Sequence, residues 1–452
     1  MARIPTFRGG IHPLHNMHEG KHLSEKRAIV EIPPPKIVSL PMSQHIGAPA
    51  KPVVKKGERV LMGQLIGEAQ GFVSVPVHAS VSGTVIDVKD IIGINGKLVK
   101  AVIIENDMMD EKAYMTPSDP KYMKPAEIVA RVKDAGIVGM GGAAFPLHVK
   151  LSPPEGKIID TLILNGAECE PFLTADQRVM MEQPEKVVDG AQMIRLALST
   201  IKRVFIGVED NKPDAIEALK KAAAGTDIEV VTIKTKYPQG SEKQLIDAVT
   251  GRQVPSGGLP QDAGVACSNI SSCAGASDAF RIGEPLIKRV VTVTGAVRDP
   301  QNMLVRLGTS SQELLDIAGG YVGEPLKLIS GGPMMGLPIP DPSCVVTKGY
   351  SGLLVLDSHF TKNERESNCI RCGKCADVCP IFLYPSLISE AAAGEDFELA
   401  ESRNAMDCMS CGCCSYICPA KKPLAQNIKF AKDMITVNRM KERQRMEAGE
   451  NC

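Results

Sequence analysis

Eight cysteines between Cys369 and Cys418 follow one spacing twice: Cys369-x2-Cys372-x2-Cys375-x3-Cys379-Pro380, and Cys408-x2-Cys411-x2-Cys414-x3-Cys418-Pro419. Thiolates are soft ligands, and an iron–sulfur cubane needs four of them arriving from different directions. The x2 steps wrap three cysteines around one cube, and the turn before proline carries the fourth away. Paired zinc sites are the competing chemistry, but zinc modules separate two Cys pairs by a longer loop and do not repeat three close cysteines plus Cys-Pro. The pattern predicts two 4Fe-4S clusters.

In two-cluster ferredoxins the fourth cysteine of each run ligates the other cluster. That assigns Cys369, Cys372, Cys375 and Cys418 to one cluster, and Cys408, Cys411, Cys414 and Cys379 to the second. Cys413 is out of phase and reads as a non-ligand; Cys169, Cys267, Cys273, Cys344 and Cys452 are scattered singly and read as inert thiols. Eleven of the 14 cysteines lie from Cys344 onward, eight of them in metal-type spacings, and Met1 to Gly20 has no apolar leader, so a reducing cytoplasm is expected over disulfides. His12, His15, His18 and His22 are interrupted by Pro13, do not share a helix face with a third ligand, and read as packing or partner contacts.

Clusters pass electrons singly, so a chain ending on a two-electron carrier needs a flavin between them. Gly139-Met140-Gly141-Gly142-Ala143-Ala144-Phe145-Pro146, followed by Lys150, places glycines where backbone must approach a phosphate or ring. Two further segments, Leu164-Asn165-Gly166-Ala167-Glu168-Cys169-Glu170-Pro171 and Tyr237-Pro238-Gln239-Gly240-Ser241-Glu242-Lys243-Gln244-Leu245, follow predicted strands. Open α/β sheets bind their ligands at such strand ends.

The elements that must position these groups divide the 452 residues into a multidomain α/β plus β chain. Residues 1–36 read as an extended N-terminal arm ending in Pro33-Pro34-Pro35. Over 37–108, short β-branched runs alternate with Gly and Pro turns, and the stretch resembles the barrel-sandwich domains of lipoyl and biotinyl carriers. The modified Lys of those carriers is replaced by Val73-Ser74-Val75-Pro76-Val77-His78, which argues for a docking or structural unit. Residues 125–287 alternate helix and strand, with helices expected at Ala126 to Lys133, Pro184 to Leu198 and Lys212 to Ala224, and strands at Thr161 to Leu164, Val204 to Val208 and Ile228 to Ile233. This is a Rossmann-like parallel sheet, the expected FMN/NADH-binding domain. Residues 288–345 resemble the soluble-ligand-binding β-grasp (SLBB-like) domain, 360–440 form a two-cluster ferredoxin-like helical domain, and 441–452 are a tail. The basic stretch from Lys429 reads as a helix with Phe430, Met434, Val437 and Met440 along one side.

The Gly-x-Gly-Gly-x-x-Phe-Pro-x-x-x-Lys, Asn-x-x-Glu-x-Glu-Pro and Tyr-x-x-Gly-x-Glu segments resemble the flavin-bearing, NADH-oxidising subunit of respiratory complex I. From Phe7-Arg8-Gly9-Gly10-Ile11-His12-Pro13 through both cysteine runs, the chain resembles the RnfC family of the Rnf electron-transport complexes. The resemblance implies non-covalent FMN against Gly139, Gly141, Gly142 and Lys150, surrounded by Asn165, Glu168, Glu170, Tyr237, Gly240, Glu242 and Asn269. Phe145 and Glu242 would face NAD(H). Ser241 stands where complex I has the first of two Glu, and Ser268-Asn269 where it has paired Asn.

By the same resemblance, the chain is a peripheral ferredoxin:NAD oxidoreductase subunit on the cytoplasmic face of the cell membrane. Its partners would be membrane-embedded and ferredoxin-type subunits, with ion transport left to them. Two alternatives are a soluble flavin and iron–sulfur cobalamin reductase, separable by co-purification with membrane proteins, and a non-enzymatic relay, separable by flavin content. Lys+Arg and Asp+Glu each number 52 and Trp is absent, so nothing draws the chain to nucleic acid. No apolar stretch approaches the ~20 residues that span a bilayer.

Overall fold

The computed structural model describes residues 4–13, 15–361 and 364–447; the side chains of residues 15–18 and 447, hence those of His15 and His18, and all of Cys452 lie outside the described residues. At the centre is a four-stranded, all-parallel sheet in the order Ile228–Ile233, Arg203–Glu209, Thr161–Gly166, Val265–Asn269. Leu162, Ile163 and Leu164 of strand Thr161–Gly166 are fully buried, as expected of a strand covered on both faces. Chain order reverses between Thr161–Gly166 and Val265–Asn269, so the crevice beyond their carboxyl ends is the sheet's topological switch point. Asn165 and Asn269 lie side by side there.

The strand Val265–Asn269 and the helix Ile270–Arg281 are absent from the sequence expectation. The helix holds three Ser and one Gly among its 12 residues, weak helix formers, and forms because its apolar side packs on helix Pro184–Ala197.

The β regions share one core. A four-stranded antiparallel sheet (Ile37–Pro41, Leu98–Asn106, Gly83–Ile92, Arg59–Val60) faces a three-stranded one (Lys51–Pro52, Leu65–Glu68, Val77–His78). Val38, Leu40, Val85, Val102 and Ile104 pack in continuity with Val291, Val293, Met303 and Val305 of the β-grasp region. The sheet of that region has six strands, in the order Ile29–Glu31, Gln301–Arg306, Lys288–Gly295, Gly352–Leu356, Lys327–Ser330, Leu337–Pro338. Two of its strands come from outside residues 288–345. Ile29–Glu31 belongs to the expected extended arm but pairs in parallel with Asn302–Leu304, and Gly352–Leu356 is an inner strand.

The cysteine-bearing region is helical: Lys374–Asp377, Pro385–Ala393, Phe397–Ser402, Cys413–Ile417 and Leu424–Glu447. The last helix turns the apolar side read from sequence toward solvent. Ile428, Ala431 and Ile435 are buried, whereas Phe430, Val437 and Met440 are exposed. The stripe at 428, 431 and 435 meets the core formed by Ile388, Ala391, Ala392 and Ala400, and its neighbours decide which side is inside.

Candidate functional site

The Gly139–Phe145 loop is closed by a hydrogen bond from Gly139 N to Phe145 O at 2.8 Å. Met140 N donates to Ser272 Oγ at 2.9 Å, and that hydroxyl donates to Val138 O at 2.8 Å. The buried Arg289 guanidinium donates to Met140 O at 3.2 Å and to Lys348 O, and burial lowers its pKa to about 10. Ser272 and Arg289 carry no signal in the sequence; each reaches the loop from more than a hundred residues away. A Cβ at Gly141 would lie 3.2 Å from Asn269 Nδ2, while Gly142, at φ +123°, has nothing within 4 Å. Bare, exposed backbone at 141–143 therefore borders open space, with Phe145 half-buried behind it.

The other predicted residues close around the switch point. Lys150 Nζ pairs with Glu242 and donates to Cys267 O at 3.2 Å. Burial opposes the ammonium, but Glu242 outweighs it and holds the pKa above its ordinary value. Asn165 Nδ2 donates to Gly240 O at 2.6 Å, and Ser241 is the N-cap residue of helix Glu242–Thr250. Asn269 caps Ile270–Arg281 by accepting from Ser271 N and Ser272 N, and donates to Asp176 Oδ2 at 2.7 Å. Ser268, just before it, is buried. Exposed glycine backbone, a fixed cation and carboxamides at strand ends fit a phosphorylated ring cofactor such as FMN.

Glu168 and Glu170 lie in this segment, but both carboxylates bind protein backbone. Glu168 accepts from Asp176 N at 2.6 Å and Gln177 N at 3.0 Å, at the start of helix Ala175–Glu182. Glu170 accepts from Met334 N at 3.1 Å and Met335 N at 2.8 Å in the β-grasp region. Burial raises each pKa to about 7. The loop's outer side is held by Lys21 of the N-terminal arm, whose ammonium donates to the carbonyls of Glu168, Glu170 and Leu173 at 2.8, 2.9 and 2.6 Å. No local signal marks Lys21, because its partners are about 150 residues away. These two glutamates shape the segment through the backbone. Cys169, between them, accepts from Gly240 N at 3.2 Å, and burial pushes its thiol pKa up.

Both cysteine runs fold into the same local turns. Arg371 N donates to Cys369 Sγ and Ser410 N to Cys408 Sγ, each at 3.4 Å, and Arg371 and Ser410 share a positive φ of 55–56°. Cys379, Cys408, Cys411 and Cys414 line one small cavity, together with Pro380, Met409 and Ile428, and Leu383 N donates to Cys379 Sγ at 3.3 Å. Cys413 borders the same space and packs with Ile11, Tyr237 and Cys411. Burial, then the neighbouring Cys411 and Cys408, push the Cys414 thiol up to about 12, a cost that the positive charge of a bound cluster's iron would offset. The other set sits differently: Cys375 packs with Cys418, Ala420 and Leu424, while Cys369 and Cys372 are exposed. A convergent thiol cavity and N–H donors to sulfur fit a cubane.

The buried set abuts the flavin-type site. Tyr237 Oη donates to Cys411 O at 2.7 Å, and Gln244 Nε2 to Pro380 O at 3.1 Å. Asp407 accepts from Ser256 Oγ at 2.6 Å and Gly257 N at 3.0 Å. Among the described residues no helix is long and apolar enough to cross a membrane.

Four family models match in the order of these regions: the RnfC barrel sandwich hybrid domain over residues 5–109, the Nuo51 FMN-binding domain over 132–277, the SLBB domain over 290–338 and a 4Fe-4S dicluster domain over 361–419. Among curated relatives, the C component of the proton-translocating ferredoxin:NAD(+) oxidoreductase complex of Clostridium ljungdahlii is 47% identical, over 95% of this chain and 94% of its own length. The C component of the Na(+)-translocating complex of Acetobacterium woodii is 49% identical, over 96% of this chain and 98% of its own. Its counterpart in the ion-translocating oxidoreductase complex of Rhodobacter capsulatus is 43% identical, over 97% and 85%. With that identity along nearly its whole length, the chain belongs to the RnfC family, the C components of ion-translocating ferredoxin:NAD(+) oxidoreductase complexes.

Proposed function

We propose that this chain is the peripheral subunit of a membrane ferredoxin:NAD oxidoreductase, moving electrons between NAD(H), non-covalent FMN and two 4Fe-4S clusters. The observation that carries the reading is the contact of Tyr237 with Cys411, which sets the flavin-type site against one cysteine set, while Cys369 and Cys372 of the other are exposed. The Gly139–Gly142 backbone and Lys150 hold the flavin phosphate and ring; Asn165, Gly240, Ser241, Ser268 and Asn269 wall the crevice. Phe145 and Glu242 face the nicotinamide nucleotide. FMN bound there supplies the change from two-electron hydride transfer to the single-electron steps that clusters accept. The chain contributes orientation and exclusion of water, with no acid–base residue required. Cys379, Cys408, Cys411 and Cys414 hold the cluster next to that site, and Cys369, Cys372, Cys375 and Cys418 hold the one at the surface. Membrane-embedded and ferredoxin-type partner subunits meet the chain at the cytoplasmic face and carry the coupled ion, and either direction of electron flow uses the same route.

The test is anaerobic purification followed by visible spectra before and after NADH, with flavin, iron and sulfide counted. About one FMN and about eight iron atoms per chain, bleached by NADH, are expected. Iron without flavin or NADH response, even after FMN is added back, would reduce the protein to a relay.

A further inference from the structure

We propose that Arg8-Gly9-Gly10-Ile11 is a strap that fixes the separation between the flavin site and the buried cluster, making it a positioning segment for electron transfer between them. The inference rests on the flavin reading of the Gly139–Asn269 crevice. On one side, Ile11 and Tyr237 exchange backbone hydrogen bonds, Ile11 N to Tyr237 O at 2.8 Å and Tyr237 N to Ile11 O at 2.9 Å. On the other, Gly10 N donates at 2.9 Å to Val378 O, one residue before the ligand Cys379. The strap thus bonds the strand-end loop of the flavin site and one ligand run of the buried cluster through backbone alone. Tyr237 closes the circuit, since its hydroxyl binds Cys411 O in the other ligand run.

The fit requires glycine. Gly9 and Gly10 have φ of +81° and +77°; a Cβ on Gly9 would lie 2.8 Å from Cys379 O, and one on Gly10 2.5 Å from Tyr237 O. Both obstacles are backbone atoms that cannot rotate away, so any side chain must push the cluster loop and the flavin loop apart. The flanks are anchored as well. Lys236 Nζ donates to Phe7 O at 3.1 Å and lies 4.7 Å from the Phe7 ring centroid, Lys234 N donates to Pro5 O at 2.9 Å, and Arg8 sits 5.8 Å from the Phe382 ring centroid. Phe7 and Ile11 are buried. The step served moves one electron from carrier to carrier with no bond made or broken, so distance and orientation are what the protein can set.

The test compares Gly10→Ala with Gly57→Ala in the full chain carrying flavin and clusters. Gly57 has φ +90° but nothing within 4 Å of its Cβ, so it reports backbone strain alone. Stopped-flow spectra separate NADH-driven flavin bleaching from cluster bleaching, and hydrogen exchange reads the amides of Gly10, Ile11 and Tyr237. For Gly10→Ala, unchanged flavin and iron content, unchanged flavin bleaching, faster exchange at those amides and cluster bleaching slowed by about 10-fold or more are expected. Gly57→Ala should match wild type in all four. If Gly10→Ala does not fold, Lys236→Met, which loosens only the Phe7 anchor, should slow cluster bleaching by a smaller factor with the same split. Cluster bleaching at the wild-type rate in a variant whose strap amides exchange freely would overturn the proposal, as would equal slowing of both steps. Wild-type chain without flavin or NADH response would overturn the functional reading, and the strap's role with it.

Discussion

The two cysteine sets have one spacing and one local turn, yet their environments differ. Cys379, Cys408, Cys411 and Cys414 line a cavity roofed by Met409 and Ile428 and tied to Tyr237, whereas Cys369 and Cys372 lie open to solvent. Spacing therefore decides how thiols wrap a cube, while the surrounding packing decides solvent access and cluster potential. Under the proposed ligand assignment, a cluster beside the flavin site and one nearer the surface would form an ordered path from crevice to surface.

The largest effect that tests this contrast comes from removing one ligand of each set. Cys411→Ala and Cys372→Ala should each lose about four of the eight irons. In Cys372→Ala the remaining cluster should still be reduced by NADH; in Cys411→Ala that reduction should fall by about 100-fold or more, because the intervening carrier is gone. Iron counting, EPR and stopped-flow spectra check both, and equal behaviour of the two variants would erase the distinction.

The packing that buries one set gives a smaller, thermodynamic test. Ile428→Ala opens the wall of the buried cavity and should cost about 2–4 kcal/mol in denaturant unfolding. Met440→Ala, on the exposed side of the same helix, should stay within about 0.5 kcal/mol. A reversed ranking would place the Phe430, Val437 and Met440 side of that helix inside instead.

The smallest effect sharpens the comparison from the flavin side, where burial acts on a carboxyl as it does on the buried thiols. Burial, opposed by Lys21 and aided by Asp176, raises the Glu168 pKa from 4.5 to about 7. A raised folded-state pKa contributes stability below the unfolded value and loses it as pH rises through the folded one. Stability should therefore decline from about pH 4.5 to about pH 7, and Glu168→Gln should flatten that decline, read as the denaturation midpoint against pH. An unchanged slope would show that Glu168 does not titrate there.

The strand Ile228–Ile233 was legible in full, and helix Pro184–Ala197 to within a residue, because hydrophobic periodicity is a local signal. Gly352–Leu356 was not, since a five-residue apolar run is too short to distinguish strand from buried helix. For the site, every predicted flavin-segment residue lies around the switch point or in the loops that border it. What was illegible is the use made of Glu168 and Glu170, whose partners are amides on other elements.

Sequence alone determined the chemistry: cysteine spacing and glycine-rich turns act within about ten residues, where backbone geometry leaves few alternatives. Tertiary structure decided which cysteines are buried, which helix face is inside, and that an N-terminal arm joins the Tyr237 loop to the first cysteine run. Those outcomes depend on hydrogen bonds and packing between segments tens to hundreds of residues apart, such as Ile428 with Ile388 and Gly10 with Val378, and no local pattern encodes such a pairing.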